Sequence, residues 1–266
     1  MLKYCSIGSG SSGNCHVVSY KDTGILIDAG LAGKRITSGI EQADFDIDKI
    51  QGIFITHEHS DHIKGLGVIS RKYKIPIYCT RGTMEEMQRM TTLGKMPEGL
   101  YRIIRADEPF SIGDLDIHPF NISHDAAEPV GYRVNHEDKS VGIATDLGKY
   151  NDYIVEQLQG LDALLLEANH DVNMLQVGSY PYYLKQRILG ERGHLSNESA
   201  GRLLCRLLHD KMKQIMLGHL SRENNYEALA YETVCSEVTM GENPWCSSDF
   251  KISVAHRDCA SELITV

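Results

Sequence analysis

The chain has 266 residues, 42% of them apolar, and a formal charge of -9. That length and apolar content suffice to bury a sizeable core, and residues 1–266 are expected to form a single domain. The negative charge excludes a surface coated with Lys and Arg. It does not exclude a nuclease, because bound divalent metals reverse the sign inside a cleft of carboxylates and imidazoles. No stretch is long and apolar enough for a signal peptide or a bilayer span, so a cytoplasmic protein without membrane contact is expected. The seven cysteines are scattered and none forms a CxxC pair, which points to reduced structural thiols rather than metal ligands or a nucleophile.

Short apolar, β-branched runs dominate the first third, and strands are predicted over Leu2 to Ile7, Cys15 to Tyr20, Ile25 to Ala29 and Gly52 to Thr56. Helices are predicted at Lys34 to Gln42, Leu66 to Lys74 and Thr83 to Met90. Further strands follow at Ile75 to Cys79, Leu115 to Ile122, Val130 to Val134 and Val141 to Thr145. A helix near Tyr150 to Leu158 precedes Asp162 to Ala168, an apolar run that reads as a strand buried on both faces. Beyond it come an amphipathic helix from Asn197 to Leu208 with Ser196 as its start signal, a strand over Gln214 to Gly218, a helix from Asn224 to about Val238, and a last strand over Lys251 to His256. Strands in two batches, each with helices, fit two mixed sheets covered outside by helices: an α/β, four-layer αββα sandwich. The interval Asp171 to Arg192 has the least clear period. It is rich in Tyr180, Tyr182, Tyr183, Lys185 and Arg187, and reads as a lid or a substrate-contacting insert.

Gly8 to Gly13 satisfies GxGxxG after a strand, yet a dinucleotide site needs a helix next. The alternation of Cys15 to Tyr20 is that of a strand, so the glycines are expected in a hairpin loop, either as a plain turn or as a cradle of backbone amides for a phosphate.

The segment Thr56-His57-Glu58-His59-Ser60-Asp61-His62 follows an apolar strand, where a scaffold presents functional side chains. In an extended loop His57 and His59 project to one side, and Asp61 and His62 lie on the next turn. Imidazole with carboxylate and no thiolate suits Zn, Mn and Fe alike. This segment resembles the HxHxDH signature of the metallo-β-lactamase superfamily, and further positions match in order: Asp28 in Ile27-Asp28-Ala29-Gly30, His124 in Ile122-Ser123-His124, Asp146 in Ala144-Thr145-Asp146, and His219 in Gly218-His219-Leu220. The resemblance implies two divalent metal ions, one held by His57, His59 and His124 and the other by Asp61, His62 and His219. Asp146 would bridge them and Asp28 would support the ligand loop from beneath.

Leu166-Glu167-Ala168 and Gly193-His194-Leu195-Ser196 are similar to the paired Glu and His elements of the phosphodiesterase branches, such as tRNase Z. There the His protonates the departing oxygen and the Glu orients it. Catalysis is thereby expected to rest on Asp61, His194 and Glu167, with His170 as a competing acid. Ser6 to Asn14, Glu167 to Asp171 and Gly193 to Asn197 further resemble the YycJ/WalJ-like branch, related to RNase J without its β-CASP domain. That implies a metal-dependent phosphodiesterase, a nuclease of the 5′ to 3′ exonuclease kind, acting on single-stranded DNA or RNA through a metal-bridging hydroxide. Two alternatives stay open: a thioesterase or lactonase of glyoxalase II type, and a non-catalytic metal-binding regulatory protein.

Overall fold

A computed structural model describes residues 1–266. The chain divides into two compact units: unit 1 comprises Met1–Asn121, Ala126–Lys139 and His256–Val266, and unit 2 comprises Ile122–Asp125 and Ser140–Ala255. The strands form two mixed sheets accompanied by nine α-helices.

Unit 1 opens with β1 (Lys3–Gly8), β2 (Cys15–Tyr20) and β3 (Thr23–Ile27), then α1 (Gly33–Gln42) and β4 (Ile50–Phe54). The helices α2 (Ser60–Ile63) and α3 (Leu66–Tyr73) lead to β5 (Ile77–Cys79), α4 (Arg81–Arg89) and β6 (Tyr101–Ile103). β1, β2 and β3 pair antiparallel, and β3 to β6 pair parallel. The C-terminal strand Ile264–Thr265 closes this sheet beside β1. A second antiparallel group holds β7 (Phe110–Ile112), β8 (Leu115–Asn121) and β9 (Val130–His136). Every side chain of β3 is buried, which is why that run reads as apolar throughout instead of alternating. The glycine-rich segment after β1 joins it to β2 as a hairpin, as expected, and no helix follows it.

Unit 2 alternates strand and helix: β10 (Lys139–Ala144), α5 (Asp152–Leu158), β11 (Ala163–Glu167), α6 (Val172–Val177), α7 (Tyr182–Leu189), α8 (Asn197–Leu207), β12 (Gln214–Gly218), α9 (Glu227–Met240) and β13 (Lys251–Val254). Its strands are all parallel, with β11 between β10 and β12. All five residues of β11 are buried, Glu167 included.

Several elements differ from expectation for local reasons. β6 and β7 both end a sheet and bury none of their three residues, so neither carries the apolar run that marks the equally short β5. α9 begins at Glu227 rather than Asn224, because the Asn225 carboxamide spans Ala168 and Asn169 carbonyls and so holds that backbone out of the helix. The interval Asp171 to Arg192 is two short helices. Asp171 caps α6 by accepting from Met174 N at 2.7 Å, and Lys185 closes its other end with bonds from Nζ to the Gln176 and Gly178 carbonyls (2.8 and 2.6 Å). Each helix buries a single residue, Leu175 in α6 and Ile188 in α7, so neither carries an apolar stripe to read. Of the cysteines, Cys5, Cys15 and Cys79 are buried, Cys246 and Cys259 are exposed, and all seven are free thiols.

Gly30 locks the loops that end β1 and β4 together. Its N–H donates to the Asn14 carbonyl (2.8 Å), and Asn14 N–H donates to the Asp61 carbonyl (2.8 Å). A Cβ at Gly30 would land on the Asp61 carbonyl. Gly30→Ala is therefore expected to cost about 2 kcal/mol or more, as overpacking against backbone does. The urea midpoint of the variant measures this, and an unchanged midpoint contradicts it.

Candidate metal centre and general acid

Five of the expected residues come together in unit 1. Asp28 follows β3 directly, and His57, His59, Asp61 and His62 lie on the loop after β4 and on α2. Asp28 accepts from Thr56 N (2.8 Å), from Thr56 Oγ1 (2.8 Å) and from His62 Nδ1 (2.7 Å). A carboxylate only accepts, so His62 carries its proton on Nδ1 and turns a lone pair outward on Nε2. The Thr56 hydroxyl spends its own proton on Asp28 and accepts from His57 Nδ1 (3.0 Å), which sets His57 in the same tautomer. One buried carboxylate thus orients two imidazoles, the second through a threonine. Burial pushes the Asp28 pKa up, against the pull of His62 and the Thr56 donors. Nε2 of His62 lies 3.4 Å from Asp61 Oδ2. Glu58, inside the same motif, does other work: Oε1 accepts from Ala127 N (2.7 Å) and Oε2 from the Thr83 hydroxyl (3.3 Å), pinning the loop.

Unit 2 gathers His124, Asp146, Glu167, His194 and His219, and one atom from each of the last four falls within 4.8 Å of the others. His124 Nδ1 donates to the Gly193 carbonyl (3.1 Å), so its Nε2 is a lone pair, 3.6 Å from Asp146 Oδ1. His219 Nδ1 donates to Glu167 Oε1 (3.0 Å), and its Nε2 likewise lies 3.6 Å from Asp146 Oδ1. The same Oε1 accepts from His194 Nδ1 at 2.8 Å. Glu167 Oε2 takes the N–H groups of Leu147 (2.8 Å) and Leu195 (3.1 Å). Burial alone would raise the Glu167 pKa, but His194 and His219 outweigh it and hold the group at about 2. Gly193 has a necessary role here, since a Cβ on it would strike the Ile188 and Arg187 carbonyls and displace the acceptor of His124.

Three site residues adopt left-handed backbone: Asp28 at φ 61°, Asp146 at φ 60° and His219 at φ 54°. Each stands just past the C-terminal end of a strand, and for non-glycine residues such geometry costs on the order of 1–3 kcal/mol. It turns the side chain off the strand axis at a sheet end, a placement no sequence pattern discloses. Missed by the sequence reading were Asn14, Thr56 and Asn169. Asn14 had a signal in the glycine-rich motif it ends. Asn169 donates to the His219 carbonyl (2.9 Å) and had its signal in the Glu167 to Asp171 run, which was read for its Glu and His.

The donor sets suit divalent metals. Each unit offers imidazole Nε2 lone pairs whose Nδ1 protons are already held, beside a carboxylate oxygen. Separations of 3.4 to 3.6 Å are close to the edge of a tetrahedron with metal–ligand bonds of about 2.0–2.2 Å.

His170, the rival acid, is 1% exposed, and neither ring nitrogen has a hydrogen-bond partner. Burial pushes its pKa down to about 4. In the unfolded chain it returns to about 6.5, so between these values the unfolded state binds more protons. Stability conferred by the buried neutral ring is complete above about pH 6.5 and is lost as the pH falls toward about 4. His170→Gln should then lose less stability than the wild type on going from pH 7 to about 4.5, by up to about 3 kcal/mol. Urea unfolding at both pH values reads this, and equal acid sensitivity contradicts it.

The profile of the Beta-lactamase superfamily domain family matches residues 23–219. The exodeoxyribonuclease WalJ of Streptococcus pneumoniae serotype 2 (strain D39 / NCTC 7466) is 40% identical over 265 residues, spanning 100% of this chain and 98% of that protein. The exodeoxyribonuclease YycJ of Bacillus anthracis is 39% identical over 233 residues, 88% of each. Among solved structures, the metallo-β-lactamase fold protein YhfI from Bacillus subtilis superposes with a TM-score of 0.71 at 17% identity, covering 98% of each chain. That likeness speaks to fold, and it agrees with the αββα class of two mixed sheets and flanking helices. By its matched profile and by relatives similar over 88% or more of their length, the chain belongs to the metallo-β-lactamase superfamily, in its WalJ/YycJ branch.

Proposed function

We infer that this chain is a metal-dependent 5′ to 3′ exonuclease whose substrate is single-stranded DNA, and that both units serve one cytoplasmic catalytic domain. The observation that carries the reading is similarity to exodeoxyribonucleases over 100% and 88% of the chain. The sharing of one Glu167 oxygen between His194 and His219 supports it.

In this reading His57, His59 and His124 would hold one divalent cation and Asp61, His62 and His219 a second, with Asp146 available to both; Zn, Mn and Fe all suit these donors. When bound, the cations neutralise phosphoryl charge and acidify water. The chain's own residues do the rest. Asp28 keeps His62 and, through Thr56, His57 in the metal-binding tautomer, while Glu167 does so for His219 and the Gly193 carbonyl for His124. His194, anchored by Nδ1 to Glu167, gives and takes its second proton at Nε2 and so protonates the departing oxygen. A thioester's thiolate leaving group has far less need of such an acid. That contrast favours a phosphodiester over the thioesterase alternative.

The tyrosines of α7 extend the reading. Tyr182 and Tyr183 are 76% and 75% exposed, in a run from Val172 to Gly190 without a single acidic residue. Exposed aromatic rings in an acid-free segment suit base stacking. Arg187, by contrast, is committed to an ion pair with Asp125, and Lys185 to backbone carbonyls, so the rings and not these cations would meet the strand.

His57→Ala and Asp146→Ala should lose both metal by elemental analysis and hydrolysis of 5′-phosphorylated oligonucleotides. His194→Ala should keep its metal and lose about 10²–10⁴ in turnover. Full turnover in the His194 variant would remove its acid role, and wild-type protein that cleaves a thioester but no oligonucleotide would overturn the reading. Replacing Tyr182 and Tyr183 by Ala should raise KM for single-stranded DNA roughly 5- to 100-fold, at about 1–3 kcal/mol per stacked base, and spare a small phosphodiester. Equal loss on both substrates counts against stacking.

A further inference from the structure

Asn14 ends the glycine-rich hairpin loop between β1 and β2 and is fully buried. Its carboxamide orientation is fixed by backbone: Oδ1 accepts from Gly10 N (3.0 Å) and from the Ser9 hydroxyl (3.1 Å), while Nδ2 donates to the Gly10 carbonyl (3.1 Å). Flipping the amide would set donor against donor and acceptor against acceptor. The second Nδ2 proton therefore points away from Gly10, toward His62 Nε2 at 3.1 Å and Asp61 Oδ2 at 3.5 Å. Since His62 Nδ1 is protonated against Asp28, Nε2 accepts this bond with the lone pair that a cation would take.

We propose that Asn14 is a positioning residue that stands in for the cation held by Asp61 and His62, keeping their donor atoms apart and hydrogen-bonded until the metal displaces its N–H. Asn14 Nδ2, His62 Nε2 and Asp61 Oδ2 form a triangle with sides of 3.1, 3.5 and 3.4 Å. A cation bound to the latter two would compete with one amide N–H for the His62 lone pair. The consequence is a centre that stays assembled without metal, at the expense of affinity for its second ion. The inference rests on the ligand assignment made above for Asp61 and His62.

Removing the N–H should tighten metal binding and weaken the metal-free fold, two shifts of opposite sign. A merely structural loop residue would move both the same way. In Asn14→Ala, the weaker of the two Zn affinities, measured by competition with a chromophoric chelator, should tighten roughly two- to tenfold, the equivalent of one net hydrogen bond. Its metal-free Tm should fall below that of the wild type, and saturating Zn should raise Tm by more than it does in the wild type. Asn14→Asp, which sets a carboxylate against Asp61, should exaggerate both shifts. Zn affinity that is unchanged or weaker in Asn14→Ala overturns the proposal, whether or not the Asp variant folds. Wild-type protein that binds no Zn or Mn would instead overturn the ligand assignment beneath it.

Discussion

An imidazole can offer a lone pair to a cation only while its other nitrogen keeps a proton, and that proton must be held by an acceptor in a fixed place. In this protein the acceptors are two buried carboxylates, one carbonyl and one threonine hydroxyl. Asp28 and Glu167 are each saturated with donors, Asp28 by Thr56 and His62 and Glu167 by two backbone N–H groups and two histidines. An unpaired carboxylate at such depth would carry a large desolvation penalty. Saturation removes that penalty and at the same time dictates which nitrogen of each histidine faces outward. Stability and chemistry are here served by the same hydrogen bonds.

The scaffold places these groups by a simple device. Parallel strands end on one edge of a sheet, and the residue past the end leaves at an angle set by its backbone. β3, β10 and β12 are each followed by a left-handed residue of the site, and β11 ends on Glu167 itself. Loops at strand ends carry function because the rigid sheet behind them holds position without demanding a particular side chain in front.

Much of this was legible in the amino-acid sequence. The HxHxDH run and the ordered Asp28, His124, Asp146 and His219 marked residues that the fold sets at or just beyond strand ends, because a candidate ligand set shows itself as residue types at such places. The pairing of Glu167 with His194, 27 positions apart, was legible by resemblance alone, since no spacing rule links a strand end to a helix start. Asn14 lay in a motif read chiefly for its glycines; its carboxamide contacts depend on where Asp61 and His62 arrive, which only folding decides. Helices α6 and α7 were hidden because each buries one residue, and β6 and β7 because they bury none. The helical turn at Ser60–Ile63 sits within the signature, where a run of His and Asp leaves no apolar periodicity to read.

The left-handed backbone at His219 sets durability against chemistry at a single position. Glycine enters that conformation without steric cost, so a chain selected only for robustness would drift toward glycine there, as it would at Asp28 and Asp146. Keeping three bulky polar groups in that geometry means the native protein is less sturdy than its own backbone permits. Searches for hardier versions of this enzyme should accordingly find their gains at these positions, at the expense of the proposed metal centre.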